Sequence, residues 1–494
     1  MNKNKNVVIK RLETGVAGLD NLLGGGMPEF SFNIIAGSPG SGKTTLAHQI
    51  MFAHASEKHP AIYFTVLGEP SLKMLRYQQQ FSFFDSKKIG KSIFHINLSE
   101  EIVGGDFDRV LERIVEEVEK HKPSMVFVDS FRSIIEAATN VGHMPSKLQN
   151  FVQQLAMRMT SWQATTFLIG EYQLPEKDSS PVFTVADGII WVSQQVHRDA
   201  MVRKIQIVKM RGQAQSAGLH TLRIGNDGVE IFPRTILPPG AWGQEANIHF
   251  PGDKRLSMGV PALDKMMGGG LPVAYSLLLV GPSGSGKSII ATQFLAEGVR
   301  MGEPGVIAAF EKSPNQLLSQ QLNKLVKSGK VGLIDTRSLD LSIDETLHNL
   351  VAMIKSMQAK RVVIDSLSGF ELALAPVFRE DFRESLYRMV AVLTSMGVTV
   401  LMTAELEDRY TELRFSSYGN AFLADSIVLL RYVEIAGEFK RVISVVKVRA
   451  SEHSKDIRFF TIGHDCVIVD ERSIGYQSIL TGQPVNFGVT TQWS

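Results

Sequence analysis

The octapeptide GSPGSGKT at residues 37–44 returns as GPSGSGKS at residues 281–288, 244 positions later. Both obey the pattern GxxxxGK[ST]. Its glycines let successive backbone N–H groups curl inward around phosphate oxygens, and the helix that follows adds the positive end of its dipole. Each copy follows an apolar run and precedes a helical pattern, the context the motif requires. A chain with two such loops must build the strand–loop–helix unit twice.

The duplication is longer than the loops. LETGVAGLDNLLGGGMPEFSFNIIAGSPGSGKTT (12–45) parallels LSMGVPALDKMMGGGLPVAYSLLLVGPSGSGKSI (256–289) at one constant offset. Gly15 meets Gly259, Asp20 meets Asp264, and Gly24, Gly25 and Gly26 meet Gly268, Gly269 and Gly270. The period is domain-sized, so this is tandem duplication rather than a solenoid. Residues 233–254, PRTILPPGAWGQEANIHFPGDK, contain four prolines and three glycines without helical periodicity. They divide the chain into a first domain at 1–233, a linker at 234–253 and a second domain at 254–494.

Within each unit short apolar runs alternate with amphipathic segments. FNIIAG, AIYFTV, SMVFVDS and TTFLIGE read as buried strands in the first unit, with helices from Lys43, near 70–82 and over 107–121. YSLLLVG, GVIAAF, RVVIDS and VTVLMTAE repeat the pattern in the second. This predicts an α/β fold, a mostly parallel sheet with helices on both faces. Hairpin-like segments at 188–212 and 426–449 add antiparallel edge strands.

The loops assign phosphate contacts to Gly37, Ser38, Pro39, Gly40, Ser41, Gly42, Lys43, Thr44 and Thr45, and to Gly281, Pro282, Ser283, Gly284, Ser285, Gly286, Lys287, Ser288 and Ile289. Lys43 and Lys287 reach the β- and γ-phosphates of ATP, and the hydroxyls of Thr44 and Ser288 ligate Mg²⁺. Magnesium needs a second anchor at a strand end, which Asp129 and Asp365 offer. An aspartate there can instead cap the next helix, but a phosphate loop upstream in both copies favours the metal reading. Glu69 and Glu311, each after the second strand, are candidates to orient the attacking water. Glu171 and Glu405 are weaker candidates for sensing the γ-phosphate.

The tandem loops, the LxxGxxxLDxxxGGG stretch before each and the KxR on a late strand resemble the KaiC family of circadian-clock ATPases. The likeness is strongest in VVIDSLSGF and SIVLLRYVEIAGEFKRVISVVKVR. It implies RecA-like domains in a two-tiered hexameric ring, with ATP at subunit interfaces. Lys209, Arg211, Lys447 and Arg449 then match the trans-acting basic residues that reach a neighbour's γ-phosphate, with Arg203 and Arg441 as further candidates. The resemblance also implies a protein partner, KaiB-like or another signalling protein.

The sequence departs from the family at several places. The paired catalytic glutamates become Glu311–Lys312 in domain two and Leu67–Gly68, with Glu69 next, in domain one. The adjacent Ser–Thr pair that the clock protein phosphorylates falls on Ala421 and Phe422, which have no hydroxyl. Ser416, Ser417 and Tyr418 keep a diverged serine/threonine autokinase open. Only eleven residues follow Gln483, so the long tail offered to the KaiA partner is expected to be missing.

The competing reading is a RecA- or RadA-like DNA-handling ATPase. With 52 basic against 50 acidic residues, a net charge of +2 and a single cysteine, the chain offers neither a strongly basic arm nor a zinc ribbon. Nucleic acid is therefore not the expected partner. Lone Cys466 fits a reducing compartment, and no apolar run approaches membrane-spanning length. The sequence predicts a cytoplasmic location.

Overall fold

The structure is a computed structural model. It describes residues 9–66, 71–102, 106–140, 145–173, 181–197, 200–234, 254–310, 320–335, 342–374, 376–379, 381–406, 424–435, 437–463, 466–471, 476–477 and 485–486. The chain divides into two compact units, Met1–Arg234 and Thr235–Ser494. The proline-rich stretch at 235–253 lies outside the described residues.

Unit one is built on a nine-stranded sheet. Its order is Gly228–Phe232, His220–Gly225, Ala200–Met210, Gly188–His197, Phe32–Gly37, Thr165–Glu171, Met125–Asp129, Ala61–Thr65, Ile93–Asn97. From Gly188–His197 to Ile93–Asn97 all pairings are parallel; the other three strands are antiparallel. Unit two repeats the arrangement with Val331–Asp335, Gly305–Ala309, Arg361–Asp365, Thr399–Glu405, Ser276–Gly281, Ser426–Ile435, Glu438–Val448, Ile457–Ile462, Val467–Val469. The fold is thus α/β in both units, with a mostly parallel sheet and antiparallel edge strands.

The apolar runs follow from burial on both faces. Phe32–Gly37 and Ser276–Gly281 are buried at every position. Alternation sends Ile34 to one side, against the helices Phe107–His121 and Pro145–Ser161, and Ile35 to the other, against Lys43–His54. The edge strands Ile93–Asn97 and Val331–Asp335 were not apparent in the sequence pattern; IFHIN mixes polar and apolar residues because much of that strand is only half-buried.

The duplicated LD…GGG segment has a structural cause. Asp20 accepts from the Thr14 amide through Oδ1 at 2.9 Å, and its carbonyl accepts from Gly25 N at 2.8 Å. Asp264 does the same with Met258 N at 2.7 Å and Gly269 N at 2.8 Å. Gly26 and Gly270 have φ of 114° and 111°, and a Cβ on either would fall 2.5 Å from the carbonyl oxygen of Leu12 or Leu256. Only glycine fits there. This turn leads the chain into the strand that carries the phosphate loop.

Candidate nucleotide site

In each unit a helix starts at the loop lysine, as Lys43–His54 and Lys287–Arg300. Gly42 and Gly286 precede these helices with φ of 104° and 103°. A Cβ at either would come within 3 Å of a branched side chain, at 2.6 Å from Ile224 and 2.9 Å from Ile462. Both positions therefore call for glycine. The hydroxyls of Ser38, Ser41 and Ser285 are buried without a protein partner, as expected of groups that serve a ligand.

Lys43 Nζ donates to the Ser38 carbonyl at 2.8 Å, and Lys287 Nζ donates to the carbonyls of Gly281 and Pro282, each at 2.8 Å. Burial lowers the Lys43 pKa, while Glu171 and Asp129 act to hold its charge. Glu171 is opposite Gly37 in the parallel ladder, and Glu405 is opposite Gly281. Both acids therefore stand beside the start of a phosphate loop.

The acids expected to anchor magnesium stand beside the loops but are held differently. Asp129 Oδ2 accepts from Thr44 Oγ1 at 2.8 Å and from the Tyr63 hydroxyl at 2.6 Å. Burial pushes the Asp129 carboxyl up, and those two donors and Lys43 pull it back. Asp365 Oδ1 accepts instead from the hydroxyl of Thr403. Each site thus offers a lysine, a hydroxyl, a strand-end carboxylate and a helix N-terminus. That set fits a nucleotide triphosphate with a hard cation, which keeps much of its coordination for phosphate oxygens and water.

In unit one these groups line a cleft of about 870 Å³ shared with Arg132, Glu136 and Tyr172. Behind it, His48 Nδ1 lies 2.8 Å from the Thr44 carbonyl, and the ring stacks on Tyr63 with centroids 4.3 Å apart. The His95 ring centroid lies 5.7 Å from that of Tyr63 and 6.2 Å from that of His48. Burial holds His48 at a pKa of about 3 and His95 at about 4, so both are neutral. The sequence reading missed this group. Its signal was period: His48 is one helical turn after Thr44, and Tyr63 alternates onto the same sheet face as Ile35 and Phe127.

The KxR residues lie at the other end of the sheet. Lys209 pairs across the hairpin with Ile189, whose neighbour Gly188 is level with Asn33 at the start of the central strand. The loop begins at Gly37, roughly 13 Å along at about 3.3 Å per residue. Lys209 donates to the carbonyls of Phe183 at 3.4 Å and Thr184 at 3.3 Å, and Arg211 pairs with Asp187 at 3.1 Å. In unit two Lys447 donates to the Ala424 carbonyl at 2.7 Å and Arg449 pairs with Asp425 at 3.1 Å. Burial lowers the pKa of both lysines, and the adjacent arginines add to that.

Arg203 and Arg441, grouped with those cations by the resemblance, are placed elsewhere. Arg203 Nε donates to the Gly40 carbonyl of its own loop at 3.4 Å. Arg441 lies over the Tyr432 ring at 5.4 Å, and that tyrosine hydroxyl is 3.2 Å from where a Cβ on Gly284 would be. The hairpins run from one end of the sheet to the other, which separates each arginine from its KxR pair. Glu69 and Glu311 lie outside the described residues, as do Ser416, Ser417, Tyr418, Ala421 and Phe422.

The family described as "ATPase: KaiC" matches residues 12–236 and again 256–474. The chain belongs to the KaiC ATPase family. A KaiC-family relative, "Circadian clock protein KaiC3" of Synechocystis sp., is 28% identical over 494 residues, covering 97% of this chain and 95% of its own. "Circadian clock oscillator protein KaiC" of Picosynechococcus sp. is 26% identical over 497 residues, covering 97% and 93%. Membership in the KaiC family makes ATP the ligand that the paired loops are built to bind. Among the described residues no helix is long and apolar enough to cross a membrane.

Proposed function

We propose that this KaiC-family chain is a magnesium-dependent ATPase that works as a ring-shaped homo-oligomer, a hexamer, holding one nucleotide per unit. The observation that carries this reading is the distance between the KxR cations and their own phosphate loops. Lys209, Arg211, Lys447 and Arg449 sit at the opposite sheet end, so the triphosphate they serve belongs to another copy. A guanidinium or ammonium supplied in trans stabilises charge on the transferring phosphoryl group.

Thr44 with Asp129, and Ser288 with Asp365, hold magnesium, whose chemistry is to neutralise charge on the β- and γ-phosphates. Lys43 and Lys287 orient the phosphates. Glu311 positions water in unit two, and Glu69 does so in unit one. The absence of hydroxyls at Ala421 and Phe422 makes turnover, not self-phosphorylation at those positions, the proposed activity. The output is regulatory: slow turnover reshapes the ring for a partner protein, KaiB-like or another signalling protein.

Mixing two inactive forms tests the shared site. One carries Lys43→Ala and Lys287→Ala. The other carries alanine at Lys209, Arg211, Lys447 and Arg449. Each alone should lose at least about 10²-fold in turnover, the scale for removing a preorganised donor at developing charge. Mixed and assembled with ATP, they should recover activity, because intact loops then meet intact cations. Mixed rings that remain inactive would overturn the proposal, as would a chain that stays monomeric in saturating ATP.

A further inference from the structure

Arg132 is the second residue of the helix Phe131–Asn140, three positions after Asp129. It lines the same cleft as Lys43, Thr44, Asp129 and Glu171. In the first turn it opposes the positive end of the helix dipole. Its Nε donates to Glu136 at 2.8 Å, but with the arginine N-terminal to the acid, the weaker orientation for such a pair, and with Glu136 exposed. The guanidinium also lies over the buried Tyr172 ring, 5.4 Å from its centroid. This contact holds the planar group at the cleft wall.

Unit two shares the backbone but not this cluster. Counting from the strand-end aspartates, Ser368 stands where Arg132 does and Leu372 where Glu136 does. Counting from Glu171 and Glu405, Leu406 replaces Tyr172. All three members of the cluster are therefore particular to unit one. They line one cleft with Asp129 and Glu171, the two acids that act on Lys43, the lysine that meets the terminal phosphates.

We infer that Arg132 is a nucleotide-contacting residue of unit one, giving the terminal phosphate of ATP a guanidinium from the same chain that unit two lacks. This rests on the ATP-site reading above. Glu136 and Tyr172 hold Arg132 beside the cleft, and the phosphate competes with Glu136 for it. The contact is specific to the third phosphate, so it sets a preference for ATP over ADP. It would also make unit one less dependent than unit two on cations donated by a neighbour.

Binding of fluorescent ATP and ADP analogues to the full chain tests this, in a Lys287→Ala background that isolates unit one. Arg132→Ser, the side chain of unit two, should weaken ATP by about tenfold or more, the scale for a hydrogen bond to a charged group, and leave ADP nearly unchanged. Arg132→Lys should fall between. Glu136→Gln, which releases the guanidinium, should move the ATP:ADP preference the other way, so the test does not depend on one variant's folding. An unchanged ATP:ADP ratio in Arg132→Ser and Glu136→Gln overturns the inference while leaving the ATP site standing, provided that Lys43→Ala abolishes binding of both nucleotides. If Lys43→Ala also leaves binding intact, the site reading fails and the inference with it.

Discussion

The two units have the same strand order and nearly the same loop, yet they differ one layer behind it. In unit one the strand-end acid Asp129 is held by Tyr63 and Thr44, with His48 and His95 stacked behind. In unit two Asp365 is held by Thr403, and Thr292, Ile307 and Leu333 stand at the positions of His48, Tyr63 and His95. The comparison teaches that the phosphate cradle is set mainly by backbone, glycine torsions and strand register. The side chains that tune its acid are free to diverge. Unit one has an aromatic polar stack there, and unit two a threonine with two aliphatic side chains.

The largest consequence is acid sensitivity. His48 and His95 titrate at about 3 and about 4 in the fold against an ordinary 6.5, because burial disfavours their charged forms. Below pH 6.5 the unfolded chain takes up protons that the folded unit refuses, so stability falls as pH drops through that window. At about 1.4 kcal/mol per pH unit for each histidine, the pair forfeits on the order of 5 kcal/mol by about pH 4.5. Burial lowers His54 and His220 as well, which adds in the same direction. Hydrogen exchange read by mass spectrometry at neutral and mildly acid pH should show unit one opening first. His48→Thr combined with His95→Leu should remove most of the difference. Simultaneous loss of protection in both units would break the comparison.

The next effect runs the other way, against unit two. Arg361 is buried, with Nη2 paired to Glu303 at 2.9 Å, Nη1 donating to the carbonyls of Ser257 and Phe294 at 2.8 and 2.9 Å, and its guanidinium 4.6 Å from the Phe294 ring centroid. Met125 occupies the same place in unit one. Glu303→Ala leaves this cation without its carboxylate and should destabilise unit two by about 3 kcal/mol, the scale for stripping one partner from a buried pair. Denaturant unfolding should then lower the transition of unit two and leave that of unit one in place. Equal shifts in both would mean that the units do not melt independently.

These differences bear on what a reader of the sequence can see. The central strands were legible because both faces are buried, which writes FNIIAG and SLLLVG as unbroken apolar runs. The cradle was legible because its glycines occupy torsions that few other residues adopt. The edge strand IFHIN was not, since half-burial erases the run. The far-end position of Lys209 and the near-loop position of Arg203 were hidden for a different reason. Alternation assigns a side chain to a face of a strand, but only cross-strand register, such as Ile189 opposite Lys209 and Gln194 opposite Arg203, assigns it to an end of the sheet. Arg132 and Tyr172 meet through tertiary contact alone, which no local pattern encodes.

The smallest effect is the sharpest, because it should carry opposite signs with and without metal. The Tyr63 hydroxyl donates to Asp129 Oδ2, the same oxygen that Thr44 uses. Burial and the neighbouring carboxylate raise the tyrosine pKa well above its ordinary value, so it remains a donor throughout the physiological range. Tyr63→Phe removes one hydrogen bond to a charged group and should cost the metal-free unit about 1.5 kcal/mol. On the proposed function that proton also competes with magnesium for the carboxylate, so its loss should lower the magnesium concentration needed for half-maximal ATP turnover by unit one. Thr403→Val is the counterpart in unit two, where Oδ1 is the oxygen engaged. If Tyr63→Phe raises the magnesium requirement instead, the hydroxyl orients Asp129 for the metal rather than competing with it. The difference between the units would then be one of alignment, not of charge.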